Sequence, residues 1–457
     1  MKATAQRFLD SAWRSLGGSA DRLDSIGFSA TGALASAFPV TDFAGAAVAG
    51  AALAVAELAG TAGGRTPAVT IDRRLASFWF GWSIRPIGWK LQNPWDPVGG
   101  DYRAADGWIR IHANASRHRA AALRVLGCGA DPDEVARAAG GWGKTALELA
   151  IVGSGGCAAE MRSVAEWAAH PQGAAVAREP LVHLDLRPCR APDLPIDPAR
   201  PLAGIRVLDL TRVLAGPIAT RFLAGFGAEV LRLDPPDWDE PAVAPEVTLG
   251  KRPARLDLRD ADGRAVFEDL LGRAHILVHG YRPGALEALG YGAAARRALA
   301  PALIDVSLDA YGWTGPWAGR RGFDSLLQMS AGIAQAGMDW AGSERPRPLP
   351  VQALDHATGY LMAAAAVRGL TERIANGRSA EARCSLARTA RFLVEGGSAE
   401  EAEPLRRESE EDFAPEIEPT AWGKARRLAP PVAIEGVPMR WHRPAAPLGS
   451  ASPAWHS

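Results

Sequence analysis

The chain of 457 residues is poor in sulfur, has no net charge and contains no long apolar run. Its four cysteines, Cys128, Cys157, Cys189 and Cys384, are far apart and form no CxxC pair. That spacing argues against a disulfide framework and a zinc or other metal site, and fits reduced thiols in the cytoplasm. The 51 basic side chains are balanced by 51 acidic ones, so neither nucleic acid nor an anionic membrane is an expected partner. The opening MKATAQRFLDSAWRSLGG lacks the apolar core and cleavage site of a secretory leader. The longest uncharged apolar stretch, Phe43 to Ala56, is too short to span a bilayer and reads as a buried helix. Lysine is scarce beside arginine, which supplies forked donors suited to phosphate.

What is present describes an ordinary globular protein of two or three domains, with 47% apolar and 22% charged residues. Between residues 203 and 310, short apolar runs alternate with helical patterns. The runs are IRVLDL (205–210), VLRLD (230–234), ARLDL (254–258), HILVHG (275–280) and LIDVSL (303–308). This alternation predicts an α/β fold with a doubly wound, mostly parallel sheet. Ligands of such sheets bind beyond the carboxyl ends of the strands. The first loop there, DLTRVLAGPIAT, has no G-x-G-x-x-G, so a dinucleotide cofactor is not indicated. Gly216-Pro217 starts a helix whose amino end, beside Arg212, is either a phosphate site or only a turn.

Asp355 stands out in the run RPLPVQALDHATGYLMAAAAVRGLTERIANGR (347–378). It follows an extended, proline-rich approach and opens an apolar helix, where an anion is favoured as a cap or as a functional group. His356 follows directly, so on a helix its side chain diverges from that of Asp355. FPVTDFAGAAVAGAALAVAELAGTAGGR (38–65) echoes this run, with Asp42 in the place of Asp355 and the same Gly-Arg ending. The echo suggests a duplication, with Asp42 expected to be a structural cap.

The predicted organisation follows. Residues 1–83 form a partial repeat of the closing part of the large domain. Residues 84–190 form a small α+β domain with a strand at 106–113 and helices around 132–139 and 158–169. A proline-rich linker spans 191–203. The large Rossmann-like domain spans 204–395, an acidic flexible linker 396–425, and a return segment 426–457.

From Pro201 onward, the runs PLAGIRVLDLTRVLAGP, FGAEVLRLD, GKRPARLDLRDADGR, VHGYRPGALEALGYG, YGWTGPWAGRRGFDSLLQMSAG and PVQALDHATG resemble the family III CoA-transferases. That group includes the formyl-CoA and carnitine CoA-transferases and α-methylacyl-CoA racemase. The first 200 residues resemble the later half of the family, so the chain looks like a rearranged or partial tandem form. The resemblance implies an acyl-CoA:carboxylate CoA-transferase with Asp355 as the nucleophile. Acyl-CoA and a carboxylic acid are its substrates, with no tightly bound cofactor. It implies CoA contacts from Val213, Leu214 and Ala215, from Leu256 to Arg259, and from Gly280, Tyr281, Arg282 and Arg321. Arg259, Arg282 and Arg321 are cations suited to phosphate, and Tyr281 offers a face for adenine. Leu214 stands where several transferases have glutamine. Phe323 stands where racemases have histidine, which disfavours racemisation, and Asp324 is expected to hold the loop. The family implies an interlocked homodimer, unless one chain supplies both halves of the ring. A non-catalytic CoA-binding homologue or partner subunit is the alternative.

Overall fold

The computed structural model describes residues 2–190 and 194–456. Its largest sheet has seven strands: β1 (His183–Pro188), β2 (Arg206–Leu210), β3 (Glu229–Asp234), β4 (Lys251–Arg255), β5 (Ile276–His279), β6 (Ile304–Asp309) and β7 (Arg378–Ser385). Their order is β4-β3-β2-β5-β6-β7-β1, parallel throughout except for the edge pair β7–β1. Winding reverses between β2 and β5, and a doubly wound sheet opens its ligand crevice at such a point. The five runs read from sequence all form strands, with one shift. The third begins at Lys251 rather than Ala254, because the Lys251 ammonium is not solvated. It donates to Asp209 Oδ2 at 2.9 Å and to the Pro217 carbonyl at 2.8 Å, so a charged residue enters a buried strand as one half of a pair.

Helices α1 (Lys2–Ser15), α2 (Val40–Gly63), α3 (Ala215–Gly225), α4 (Asp324–Ser330) and α5 (Ala353–Asn376) build the layer that positions the site. Helix α5 is buried over almost its whole length, packing on β6, β7 and α3 on one side and on α2 on the other. Its Ala363–Ala366 run is fully buried. Alanine suits that place because it loses no side-chain entropy and lets neighbouring backbones approach closely. By length and composition α2 could cross a membrane, yet Val40 to Ala56 is buried without a break.

The α2 and α5 segments are alike in structure. Each helix has 24 residues, places its aspartate third, and ends on a left-handed glycine, Gly64 or Gly377. The residues before them, Pro39 and Gln352, share one backbone conformation (φ −75°, ψ 61° and φ −74°, ψ 63°). Each helix connects two parallel strands, Ile26–Ser29 with Val69–Asp72 and β6 with β7, and a further helix follows each second strand.

Residues 100–160 carry a three-stranded antiparallel sheet (Gly100–Ala104, Gly107–Ile111, Ala158–Glu160) with helices over it. Trp108, Cys157 and Met161 from this unit pack on Leu326 and Met329 of α4. The expected small domain over 84–190 also contains β1, which belongs to the large sheet, so its last residues do not belong to the small unit. The expected linker over 191–203 starts in residues 191–193, which lie outside the described residues.

One expectation is corrected. Residues 396–425 are not a flexible linker but a strap fixed across the amino-terminal segment. Buried Asp412 takes a two-pronged ion pair from Arg74, at 2.5 and 2.7 Å. Arg74 also donates to the carbonyls of Arg406 and Arg407. Strand Glu418–Thr420 then pairs with Gly423–Arg427, which in turn pairs with Ile84–Pro86. An acidic run stays solvated only when no cation is waiting for it, and here the cation lies more than 300 residues away.

Candidate active site

Strand register makes three chain exits coincide. Leu210 is level with His279, and His279 with Ser307. The turns that follow, Thr211–Ala215, Gly280–Arg282 and Leu308–Ala310, wall a cavity of about 390 Å³. The first turn is fixed from beneath. Asp209, fully buried and paired with Lys251, accepts from the Thr211 N–H at 2.9 Å and from the Thr211 and Thr220 hydroxyls. Val213 holds φ +65°, a strained value for a β-branched residue. Its N–H donates to Glu240 Oε2 at 3.0 Å, and Glu240 is in turn paired with the buried Arg232.

Asp355 lines this cavity and is 8% exposed. Among the described residues no hydrogen bond reaches its carboxylate. The free N–H groups at the start of α5 are taken up instead by Asp324, the first residue of α4. Its Oδ2 accepts from the Leu354 and Asp355 N–H groups, both at 2.9 Å. Its Oδ1 accepts from Gln328, whose own side-chain oxygen accepts from the Leu349 N–H at 2.7 Å. A cap that would ordinarily be local is thus supplied by another helix. Burial raises the Asp355 pKa well above the ordinary carboxylate value, and the neighbouring Asp324 charge adds to the effect. Asp324 is raised to about 6, chiefly by burial.

Gly359 lies one turn beyond Asp355. It allows α5 to sit directly on the first residue of α3, because a Cβ there would come within 2.4 Å of the Ala215 carbonyl oxygen. This approach brings the aspartate to the loop that precedes α3.

Of the residues expected from sequence, Val213, Ala215, Gly280, Tyr281, Arg282, Arg321 and Asp355 meet in the one cavity. Leu214, Leu256 and Arg259 do not line it. Leu214 is buried as the residue preceding α3, and Leu256 packs on the apolar cluster beyond β4. Arg259 is exposed and held by Asp257, with Asp237 at 3.5 Å. His356 is buried against Phe80, ring centroids 5.2 Å apart, and does not reach the cavity. Asp42 lines a second cavity of about 330 Å³ at the start of α2, where the buried guanidinium of Arg73 holds its carboxylate.

Arg212, read from sequence beside the start of α3, lines the cavity, whereas Arg117, His118, Arg320 and Asp309 line it without having been singled out from sequence. Arg117 and His118 come from helix Ser116–Leu126 of the small unit. His118 is buried and sits edge-on to Phe323, which His112 stacks on at 3.7 Å. Burial lowers its pKa to about 4, with Arg117 and Arg321 adding to the effect, so the ring is neutral near pH 7. Arg320 is tied to Glu148 at 2.8 Å and lies 3.9 Å over Trp317. Arg212 lies between Trp238 and Tyr281, at 4.5 and 5.5 Å from the ring centroids. Asp309 accepts from the Tyr311 and Gly312 N–H groups at 2.7 and 2.9 Å, and burial lifts its pKa to about 7. Asp309 carried a readable signal, since it closes a strand at the ligand-binding end of the sheet. Arg117 and His118 carried none.

Comparison with known proteins shows what this arrangement is similar to. The model of CoA-transferase family III matches residues 202–420. That part of the chain is similar to CoA-transferase family III. Human succinyl-CoA:glutarate CoA-transferase is 33% identical over 202 residues, covering 41% of this chain and 45% of that protein. A probable fatty acyl-CoA transferase of Mycobacterium tuberculosis is 33% identical over 195 residues, covering 40% and 49%. The acetyl-coenzyme A transferase nodX of Hypoxylon pulicicidum is 34% identical over 193 residues, covering 41% and 32%. This chain therefore spans between a third and a half of these relatives' length. Among solved structures, a CAIB/BAIF family protein from Brucella suis is 25% identical, covering 50% of this chain and 65% of that one, with a TM-score of 0.39.

Proposed function

We propose that the protein moves CoA from an acyl-CoA to a carboxylic acid, with Asp355 as the covalent carrier. The observation that carries this reading is a carboxylate with no hydrogen-bond partner among the described residues, facing an arginine-rich cavity at the switch point of the sheet. Arg212 and Arg282, on the two loops of that switch point, suit CoA phosphates, and Trp238 and Tyr281 offer faces for adenine.

In this reading an Asp355 oxygen attacks the thioester carbonyl carbon. The C–S bond breaks, CoA leaves as the thiolate, and an acyl–aspartyl anhydride remains. The thiolate then attacks Cγ of Asp355 and expels the first carboxylic acid, which leaves an aspartyl–CoA thioester. The acceptor carboxylate attacks Cγ in turn and releases the thiolate. The thiolate takes the new acyl group from the second anhydride and regenerates Asp355. Each step exchanges one carboxyl substituent for another, which is how covalent catalysis divides a hard exchange. The nucleophile is the ionised carboxylate, so an elevated pKa favours its attack at neutral rather than acidic pH.

Incubation with acyl-CoA and hydroxylamine should trap an aspartyl hydroxamate at Asp355. Absence of the adduct together with full exchange by Asp355→Ala would overturn the reading. A second reading rests on His118, since an imidazole and a carboxylate in one cavity are the parts needed to move an α-proton. Deuterium uptake into acyl-CoA in heavy water, without exchange of CoA, would favour it; transfer predicts none.

A further inference from the structure

Every buried carboxylate among the described residues has an arginine or lysine within ion-pair distance, except three. Those three are Asp309, Asp324 and Asp355, and they gather at one place. Asp309 and Asp355 line the cavity, and Asp324 holds the N–H of Asp355. Burying an ionised carboxylate without a counter-charge is costly, so an acid kept buried and unpaired is poised to hold a proton. Asp324 is accounted for by its bonds to Gln328 and to the start of α5, and Asp355 by the chemistry above. Asp309 is left over.

Its turn does not explain it. Oδ1 of Asp309 accepts the Tyr311 and Gly312 N–H groups, a task that the side-chain oxygen of an asparagine performs equally well. What an acid adds is a proton. Packing also brings this acid to the same end of the layer as Asp355. Asp309 is level with Ser385 at the end of β7, and the helix Leu386–Glu395 starts there. One turn along that helix, the Thr389 hydroxyl accepts at 2.8 Å from Thr358, which lies one turn beyond Asp355. Leu386 lines the cavity with both aspartates. Burial above all, with the nearby Glu179 adding, raises the Asp309 pKa against the N–H groups of Gly312, Tyr311 and Gly319. Two unpaired carboxylates in one cavity do not both ionise readily. While Asp355 carries the charge, Asp309 carries the proton.

We propose that Asp309 is a second acid–base group of the cavity, which gives its proton to the departing CoA sulfur and takes it back when the thiol returns. The inference rests on the transfer reading. As the Asp355 oxygen bonds to the thioester carbonyl carbon, the C–S bond breaks and its electron pair goes to sulfur. The proton of Asp309 then moves to that sulfur, which leaves CoA as the thiol and Asp309 as the carboxylate. On the return, sulfur attacks Cγ of Asp355 while Asp309 takes the proton. One negative charge thus stays on the pair of aspartates, and the CoA sulfur is neutral between the two steps.

The test compares acetyl-CoA with acetyl-seleno-CoA, because a selenolate leaves readily without a proton. Hydroxylamine trapping at Asp355 is timed for the full native chain and for Asp309→Asn, which keeps an acceptor oxygen for the turn. With acetyl-CoA the substitution should slow trapping by about 100-fold, the usual size of a general-acid contribution. With the selenoester the loss should be less than about threefold. The native protein alone should react roughly twofold more slowly in heavy water with the thioester, and at an unchanged rate with the selenoester. Equal slowing on the two probes, by substitution or by heavy water, would overturn the proposal, because it reports a structural role. An unchanged rate of Asp309→Asn with acetyl-CoA would overturn it as well. A native protein that forms no adduct with either probe would sink the transfer reading and this step together, an outcome distinct from the others.

Discussion

Gly359 and Ala215 touch where two helices cross, so closely that a methyl group at position 359 would lie 2.4 Å from the Ala215 carbonyl oxygen. Backbone cannot yield there as a flexible side chain does. Gly359→Ala should therefore push the start of α5 away from the loop that holds Val213. Overpacking of this kind costs about 1–3 kcal/mol, and trapping at Asp355 should fall by more than the stability loss alone explains. Gly50→Ala in α2 is the control, because a Cβ there meets nothing within 4 Å. It should be neutral or stabilising by up to ~1 kcal/mol, as alanine is favoured over glycine inside a helix. Chemical denaturation and hydroxylamine trapping of both variants test the pair. Equal effects at the two positions would refute the assignment.

Asp324 does two separable things. Its carboxylate accepts the Leu354 and Asp355 N–H groups, and its charge helps keep the Asp355 pKa high. Asp324→Asn keeps an acceptor oxygen but removes the charge. The acid limb of the trapping rate should then move to lower pH. Asp324→Ala removes both and leaves two N–H groups without their acceptor, at a cost of about 1–3 kcal/mol each where they stay buried. A limb that stays in place in Asp324→Asn would show that burial alone sets the Asp355 titration.

The sheet, the first loop and Asp355 were legible because their signals are local. β-branched runs, a Gly-Pro helix start and an aspartate ahead of an alanine-rich helix need no tertiary knowledge. Arg117 and His118 were not legible. Their place depends on how the small unit docks on α4 through Trp108, Cys157 and Met161, and no periodicity reports that. Arg259 illustrates the opposite failure. It looked like a phosphate ligand on a loop beyond the sheet, yet Asp257, two residues before it, accepts from both its N–H and its guanidinium. An Asp-x-Arg spacing is itself a reason to suspect local pairing. The strap over 396–425 was misread because composition treats acidic residues as solvated and ignores the distant Arg74.

The second aspartate is expected to be structural. Asp42 is buried with Arg73, whose guanidinium holds its Oδ1 as an ion pair, unlike Asp355. Asp42→Asn should leave trapping at Asp355 within about twofold of the native rate. Arg73→Met strands a buried carboxylate and should cost roughly 3–5 kcal/mol, the usual result of removing one partner of a buried pair. A second hydroxamate, mapped to Asp42 by mass spectrometry, would contradict this reading.

The sharpest thermodynamic consequence concerns Asp355 itself. Its folded-state pKa is raised, chiefly by burial and then by Asp324. Between the ordinary aspartate value and that raised value, the native state binds more protons than the unfolded chain. Stability therefore falls as pH increases across this window and levels off above it. A neutral amide at the position escapes that loss. Asp355→Asn should melt close to the native protein at pH 4 and above it at pH 8, by an amount on the order of 1 kcal/mol, while CoA exchange is abolished. Such gains are common when a group held for function is removed from a buried site. Thermal melts of both proteins between pH 4 and 8 measure the divergence. A variant that melts below the native protein at pH 8 would mean that the Asp355 charge is stabilised by its surroundings, contrary to a carboxylate that has no hydrogen-bond partner among the described residues.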